Sequence, residues 1–385
     1  MNRELTINEQ QKLDNLYRGI KYHSENFLGY PVSKDFNYDA LHKFLKFPLN
    51  NLGDPFMPST WKVDTREMER EVIEFMAELL HAPKDNWWGY VTNGGSEGNM
   101  YGLYLARELY PKGMVYFSQG THYSVNKNLR ILNMQRVVVK SQYNGEIDYY
   151  DLKETIARNR HMPPIIFANI GTTMTEAKDD LKRIREIMED LAIDEYYIHA
   201  DGALSGMISP FLSPKPNFDF ADGADSISIS GHKFLGSPIP SGVVIAKKNN
   251  IDRISKSIAY IGSDDTTIPG SRNGFSPLIW WYAIRTLGKE GLQQRVDDSL
   301  KKAEYTLNRL KESGIEAWRN KNSITVVLPA PEQDIIEKWQ LATEKGTTHL
   351  ILMPNTPFEM IDEILNDIIP SVIRMTDKEE VEMEV

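Results

Sequence analysis

A chain of 385 residues with 41% apolar content can bury a sizeable core, and its length suits two domains or one large domain with an appendage. Its net charge of −10 and the lack of a basic stripe argue against nucleic acid as a partner. Cysteine is absent, which removes disulfides, thiolate nucleophiles and Cys-ligated metals, and no run of about 18 apolar residues argues for a membrane span.

Met1 to Asp14 is polar and lacks the basic and apolar regions of a signal peptide, so a cytoplasmic location is expected. The first 50 residues read as a helical arm, residues 51–275 as a large domain and residues 276–385 as a small one. Between about residues 90 and 250, strand-length apolar runs alternate with helical patterns, which predicts an α/β fold around a mostly parallel sheet. The candidate strands are Gly113–Phe117, Arg136–Lys140, Pro164–Ile170, Tyr196–Ala200, Ser226–Ser230 and Val243–Lys247. Tyr150–Asn159 and Asp180–Leu191 carry the helical period expected of crossovers. A long helix is predicted from Pro277 to Ser313, then strands at Ser323–Leu328 and His349–Met353. The acidic end, Asp377–Val385, reads as a solvated or disordered tail.

The chemistry gathers at the ends of these strands. Lys233, in Ser230-Gly231-His232-Lys233, follows a strand of alternating pattern and so stands at the carboxyl edge of the sheet, where α/β proteins bind ligands. The plainer reading is a surface lysine in a loop. Asp201, ending Tyr196–Ala200, adds a carboxylate that can ion-pair a protonated ring nitrogen, the contact that makes pyridoxal 5'-phosphate an electron sink; it can equally be a helix N-cap. Thr92-Asn93-Gly94-Gly95-Ser96-Glu97-Gly98-Asn99 leads into a helical run, so its glycines and the helix N-terminus suit a phosphate, or form only a tight turn. His122 follows another strand and could cover one face of a planar cofactor, or be a structural histidine satisfied locally. Thr172 and Thr173 read as hydroxyl donors to a cofactor or as turn residues. The eight histidines show no close ligand pattern, so no metal site is expected.

Together these segments resemble the group II pyridoxal-phosphate-dependent amino acid decarboxylases, closest to bacterial histidine decarboxylases and plant serine decarboxylases. The likeness runs through Asn50-Asn51-Leu52-Gly53-Asp54-Pro55, Gly89 to Gly95, Thr121-His122-Tyr123-Ser124-Val125, Asn144-Gly145-Glu146-Ile147-Asp148, Ala168 to Thr173, the Asp201 and Lys233 segments, and Gly270-Ser271-Arg272-Asn273-Gly274. It implies a fold-type I, aminotransferase-like subunit and a homodimer with active sites at the interface. By the same resemblance, Lys233 binds the cofactor as an imine, Asp201 pairs with the pyridine nitrogen, and His122 stacks on the ring near the substrate. Ala203 would pack beneath the opposite face, Thr173 would lie near the ring oxygen, and Gly95, Ser96, Ser230 and His232 would hold the phosphate.

The resemblance also points to a tyrosine on a loop after the lysine as proton donor. Tyr260 is the candidate, beside the Gly-, Ser-, Asp- and Thr-rich stretch Gly262–Asn273. Trp318-Arg319-Asn320 and Asn322 to Val327 are similar to the histidine enzymes, so L-histidine to histamine and CO2 is the expected reaction. Leu52 to Phe56 and Lys338-Trp339-Gln340-Leu341-Ala342 are similar to the serine enzymes, so L-serine to ethanolamine is the alternative. A non-catalytic member of the fold, binding cofactor or a protein, and transamination on the same scaffold are the other readings.

Overall fold

The computed structural model describes residues 3–25, 27–253, 256–258 and 263–383. Its centre is a seven-stranded sheet of β1 (Trp88–Thr92), β2 (Met114–Ser118), β3 (Gln135–Val139), β4 (Pro164–Asn169), β5 (Tyr197–Asp201), β6 (Ser226–Ser230) and β7 (Gly242–Ala246), in the order β1-β7-β6-β5-β4-β2-β3. Strands β3, β2, β4, β5 and β6 run parallel; β7 is antiparallel to both its neighbours. β1, antiparallel to β7, therefore points the same way as β6. The ends of β1, β2, β4, β5 and β6 thus all lie on one edge of the sheet.

Apart from the edge strand β3, the sheet is buried on both faces, as parallel sheets covered by helices are. After the exposed helix α1 (Ile7–Glu25), α2 (Arg66–Leu79) packs on one face and α3 (Gly95–Leu109) on the other. α4 (Tyr149–Arg158) and α5 (Leu181–Asp190) join the α2 layer, where Leu152, Ile156, Leu181 and Ile184 meet Ile166, Ile198 and Ile227. Each of these crossovers starts where an aspartate caps it: Asp148 accepts from Tyr150 and Asp151 N–H, and Asp180 from Lys182 and Arg183 N–H.

β6 shows how packing overrides a sequence pattern. Its Ser-Ile-Ser-Ile-Ser alternation resembles a half-solvated strand, yet the serine side is covered by α3. A Cβ at Gly98 would stand 2.2 Å from Ser228 Oγ, and one at Gly95 would stand 2.5 Å from Ser230 Oγ. Only glycine lets the helix come this close.

A long helix, α6 (Phe275–Glu312), breaks its helical dihedrals at Gly288 (φ 62°) and leads to an antiparallel sheet containing β8 (Thr325–Pro329) and β9 (Thr347–Ile351). The last helix, α7 (Phe358–Met383), carries the chain through the acidic end. Of the two expectations for this segment, solvated or disordered, the second is corrected: its backbone is helical as far as Met383. Leu28 of the N-terminal arm joins the core beneath β8 and β9. Among the described residues, no helix is long and apolar enough to cross a membrane.

Candidate active site

A cleft of about 1040 Å³, open to solvent, lies along the sheet edge where the strand ends converge. It is lined by Lys233, Asp201, His122, Ala203, Gly95, Ser96, Thr173, Ser230 and His232, so the residues singled out at separate strand ends meet in one place. Tyr260 lies outside the described residues.

Lys233 sits in a single wide turn, Gly231–Leu235, directly after β6, and its own dihedrals (φ −94°, ψ −107°) leave the helical region. The turn is pinned from below. Gly231 N–H donates to Ser241 O at 2.8 Å, and a Cβ on Gly231 would meet Trp280 Nε1 at 2.4 Å. Burial lowers the lysine pKa, with the negative charge of Asp201 opposing the shift. Its amine makes no hydrogen bond or ion pair with any described residue. A half-buried, partnerless amine is an unfavourable resting state unless something reacts with it or covers it.

Asp201 closes β5 and is buried. Its Oδ1 accepts from Ala203 N–H at 3.0 Å and its Oδ2 from Asn99 Nδ2 at 2.8 Å. The carboxylate ties down the following turn while lining the cavity; the helix N-cap reading is corrected, because Leu204 and not Asp201 precedes the short helix Ser205–Met207. His122 behaves similarly: Nδ1 lies 2.9 Å from Ser124 Oγ, a local partner, and the ring still faces the cleft. Burial lowers the His122 pKa against the pull of Asp201, which favours a neutral ring. Thr172 accepts from Ala177 N–H at 3.0 Å within its turn and also lines the cleft, as does the exposed Thr173.

The Gly95–Ser96 end is shaped for a compact anion. Gly94 takes φ 149°, Thr92 Oγ1 donates to Gly94 O at 3.0 Å, and Glu97 receives Tyr90 OH at 3.0 Å and Asn93 N–H at 3.1 Å. This holds the first turn of α3 open toward the cleft, where unsatisfied helix N–H groups and the helix dipole favour negative charge. The donor set therefore fits pyridoxal phosphate: a free amine, a buried carboxylate for the ring nitrogen, a flat imidazole, and hydroxyls with a helix N-terminus at the phosphate end.

Sequence reasoning missed several walls. Asn99 lies one helical turn beyond Gly95, a spacing that puts both on one face of α3 and could have flagged it. Gly29, Tyr30 and Pro31 come from the arm, and Ala342 and His349 from near β9. Gly29 is held so tightly that a Cβ would lie 2.3 Å from Gln340 O. His349 is buried between Gly29 O and Met174 O, each 3.1 Å from a ring nitrogen, and so joins three segments remote in sequence.

A family model described as the pyridoxal-dependent decarboxylase conserved domain matches residues 60–328. A histidine decarboxylase of Mesorhizobium japonicum is 51% identical over 360 residues, 94% of this chain and 97% of that one. A histidine decarboxylase of Morganella morganii is 48% identical over 368 residues, 95% of this chain and 97% of its own. Among solved structures, L-methionine decarboxylase from Streptomyces sp. 590 superposes with a TM-score of 0.85 at 25% identity, covering 95% of this chain and 96% of that one.

Proposed function

The chain belongs to the pyridoxal-dependent decarboxylase family, and from that premise we propose that it converts L-histidine to histamine and CO2. The observation that carries the reading is the meeting of an unpartnered, half-buried Lys233 with the Asp201 carboxylate in one cleft at adjoining strand ends. When bound, pyridoxal phosphate supplies a ring that accepts the electron pair left at Cα as the carboxylate departs.

The chain's own residues do the rest. Lys233, its pKa lowered, would hold the cofactor through its amine, which can act as a nucleophile once neutral. Asp201 keeps the ring nitrogen protonated. His122, Ala203 and Thr173, which line the same cleft, would hold the ring. Gly95, Ser96, Ser230 and His232 would hold the phosphate, and Tyr260 would be the proton donor. The bond that breaks must stand perpendicular to the ring, so the cleft must orient the substrate carboxylate. The substrate assignment draws on the histidine decarboxylases named above. Of the two segments similar to serine enzymes, the cavity takes in Ala342 alone.

The functional unit is proposed to be a homodimer with the site at its interface, in the cytoplasm. Leu13, Leu16, Tyr17 and Ile20 lie along α1, each at least half exposed, and a second copy would cover this apolar face. Light scattering of the intact protein tests the dimer.

Purified holoenzyme incubated separately with L-histidine and L-serine, with CO2 and amine measured, tests the reaction. Amine from histidine supports the assignment. Activity on serine without activity on histidine rejects it, and a colourless protein that takes up no cofactor rejects the enzyme reading altogether.

A further inference from the structure

Behind Asp201 the sheet buries a line of polar groups that the reaction as proposed never touches. Asn99, already hydrogen-bonded to Asp201, has its Oδ1 3.0 Å from His199 Nε2. His199 Nδ1 lies 2.7 Å from Ser226 Oγ, which accepts from Tyr197 OH at 2.9 Å. Tyr197, His199 and Ser226 are buried, at 1% exposure or less, so their partners must be one another. His199 shares its strand face with Asp201, two residues away.

Each link allows one direction only. A carboxylate accepts and cannot donate, so Asn99 turns its NH2 to Asp201 and leaves its oxygen to His199. That oxygen also only accepts, so the ring proton sits on Nε2. Burial pushes His199 down to about 3, so the ring is neutral and Nδ1 must accept from Ser226. Having given its proton, Ser226 accepts from Tyr197, whose phenol burial keeps protonated. The ring cannot shift to relax this order. Phe167 packs at a centroid distance of 5.2 Å, and a Cβ on Gly102 would fall 2.1 Å from Nδ1.

We propose that Tyr197, Ser226 and His199 form a one-way relay that locks the Asn99 amide in the orientation that donates to Asp201. The inference rests on the reading of Asp201 as partner of the cofactor's ring nitrogen. With the opposite tautomer, Asn99 would have to rotate and set its oxygen against the carboxylate. Asp201 would lose a donor, become the stronger base and draw the proton away from the ring nitrogen. These three are positioning residues: they act on the cofactor only through Asn99 and Asp201.

The test compares His199→Gln, whose amide NH2 reaches the Nε2 position, with His199→Asn, which reaches only the Nδ1 position. Two readouts serve besides activity: the dissociation constant for pyridoxal phosphate added to the full-length apoprotein, and the pH midpoint of the visible absorbance of the bound cofactor. His199→Gln is expected to match the wild type in both. Loss of one hydrogen bond to a charged group should weaken cofactor binding in His199→Asn roughly tenfold to a hundredfold. The same loss should raise its pH midpoint by about one unit, since a less protonated ring leaves the Lys233 imine more basic.

Wild-type behaviour of His199→Asn overturns the relay, and so do equal losses in the two variants, which a purely structural histidine would give. If His199→Asn does not fold, Ser226→Ala decides: a raised midpoint supports the relay and an unchanged one overturns it. A wild-type apoprotein that binds no cofactor overturns the Asp201 and Lys233 reading itself, and the relay's role with it.

Discussion

Glu176→Gln is the sharpest probe of how the small sheet is fastened to the large one. Glu176, 1% exposed, accepts from Ser205 Oγ at 3.0 Å, Lys178 Nζ at 3.1 Å, Ser323 Oγ at 2.8 Å, Ile324 N–H at 2.9 Å and Thr325 Oγ1 at 2.8 Å. Glutamine keeps the shape but turns one oxygen into a donor. The Ile324 end offers a fixed N–H, so the new NH2 must face Ser205 and Lys178. The hydroxyl can rotate to accept, whereas the Lys178 ammonium, 9% exposed, is left without a partner. Breaking a buried pair from one side costs about 3–5 kcal/mol. With an unfolding entropy of roughly 2.1 cal/mol/K per residue, 385 residues give about 0.8 kcal/mol per kelvin, so Tm should fall by about 4–6 °C. Lys178→Met in the same chain should restore much of this. Burial opposes the Glu176 charge, but Lys178 and the surrounding hydroxyls outweigh it and hold the carboxyl below its usual 4.5. A carboxyl lowered in the folded state contributes above its unfolded pKa and loses that contribution as pH falls through the folded one. The gap between wild type and variant should therefore narrow below a pH of about 4. A Tm loss under about 1 °C at pH 7, where about 4 °C is expected, would refute the latch.

Three further outcomes are expected. Lys233→Ala should abolish the borohydride-fixed cofactor and reduce amine production by several orders of magnitude, checked by mass spectrometry of the reduced protein and by amine assay. Tyr260→Phe should keep cofactor absorbance and lose most amine production; full activity would remove its role as proton donor. Gly29→Ala must displace the backbone at Gln340, because its Cβ would stand 2.3 Å from that carbonyl oxygen; a lower Tm and a raised KM should follow, read by calorimetry and initial rates.

What could be read from the residues was what local rules govern. Parallel strands end on one side of a sheet, so Asp201, Ser230 and the loops bearing His122 and Thr173 could be assigned to one edge before any coordinates, and they share the cleft. Direction was less accessible. The apolar run at Gly242–Ala246 reads the same either way, and only its neighbours make it antiparallel. The Asn99 to Tyr197 line escaped notice because its members come from α3, β5 and β6, and nothing in one segment announces a partner in another. The arm residues Tyr30 and Pro31 were hidden for the same reason: their fragment carries no chemistry until folding sets it beside Lys233, where Ser33 N–H donates to Lys233 O at 3.2 Å.

His349 draws the beginning, middle and end of the chain around one cavity, through Gly29, Met174 and its own strand. The wall that this ring completes therefore draws on residues lying on both sides of the large sheet in the sequence, so a chain shortened before residue 349 would keep Lys233 and lose one side of its cavity.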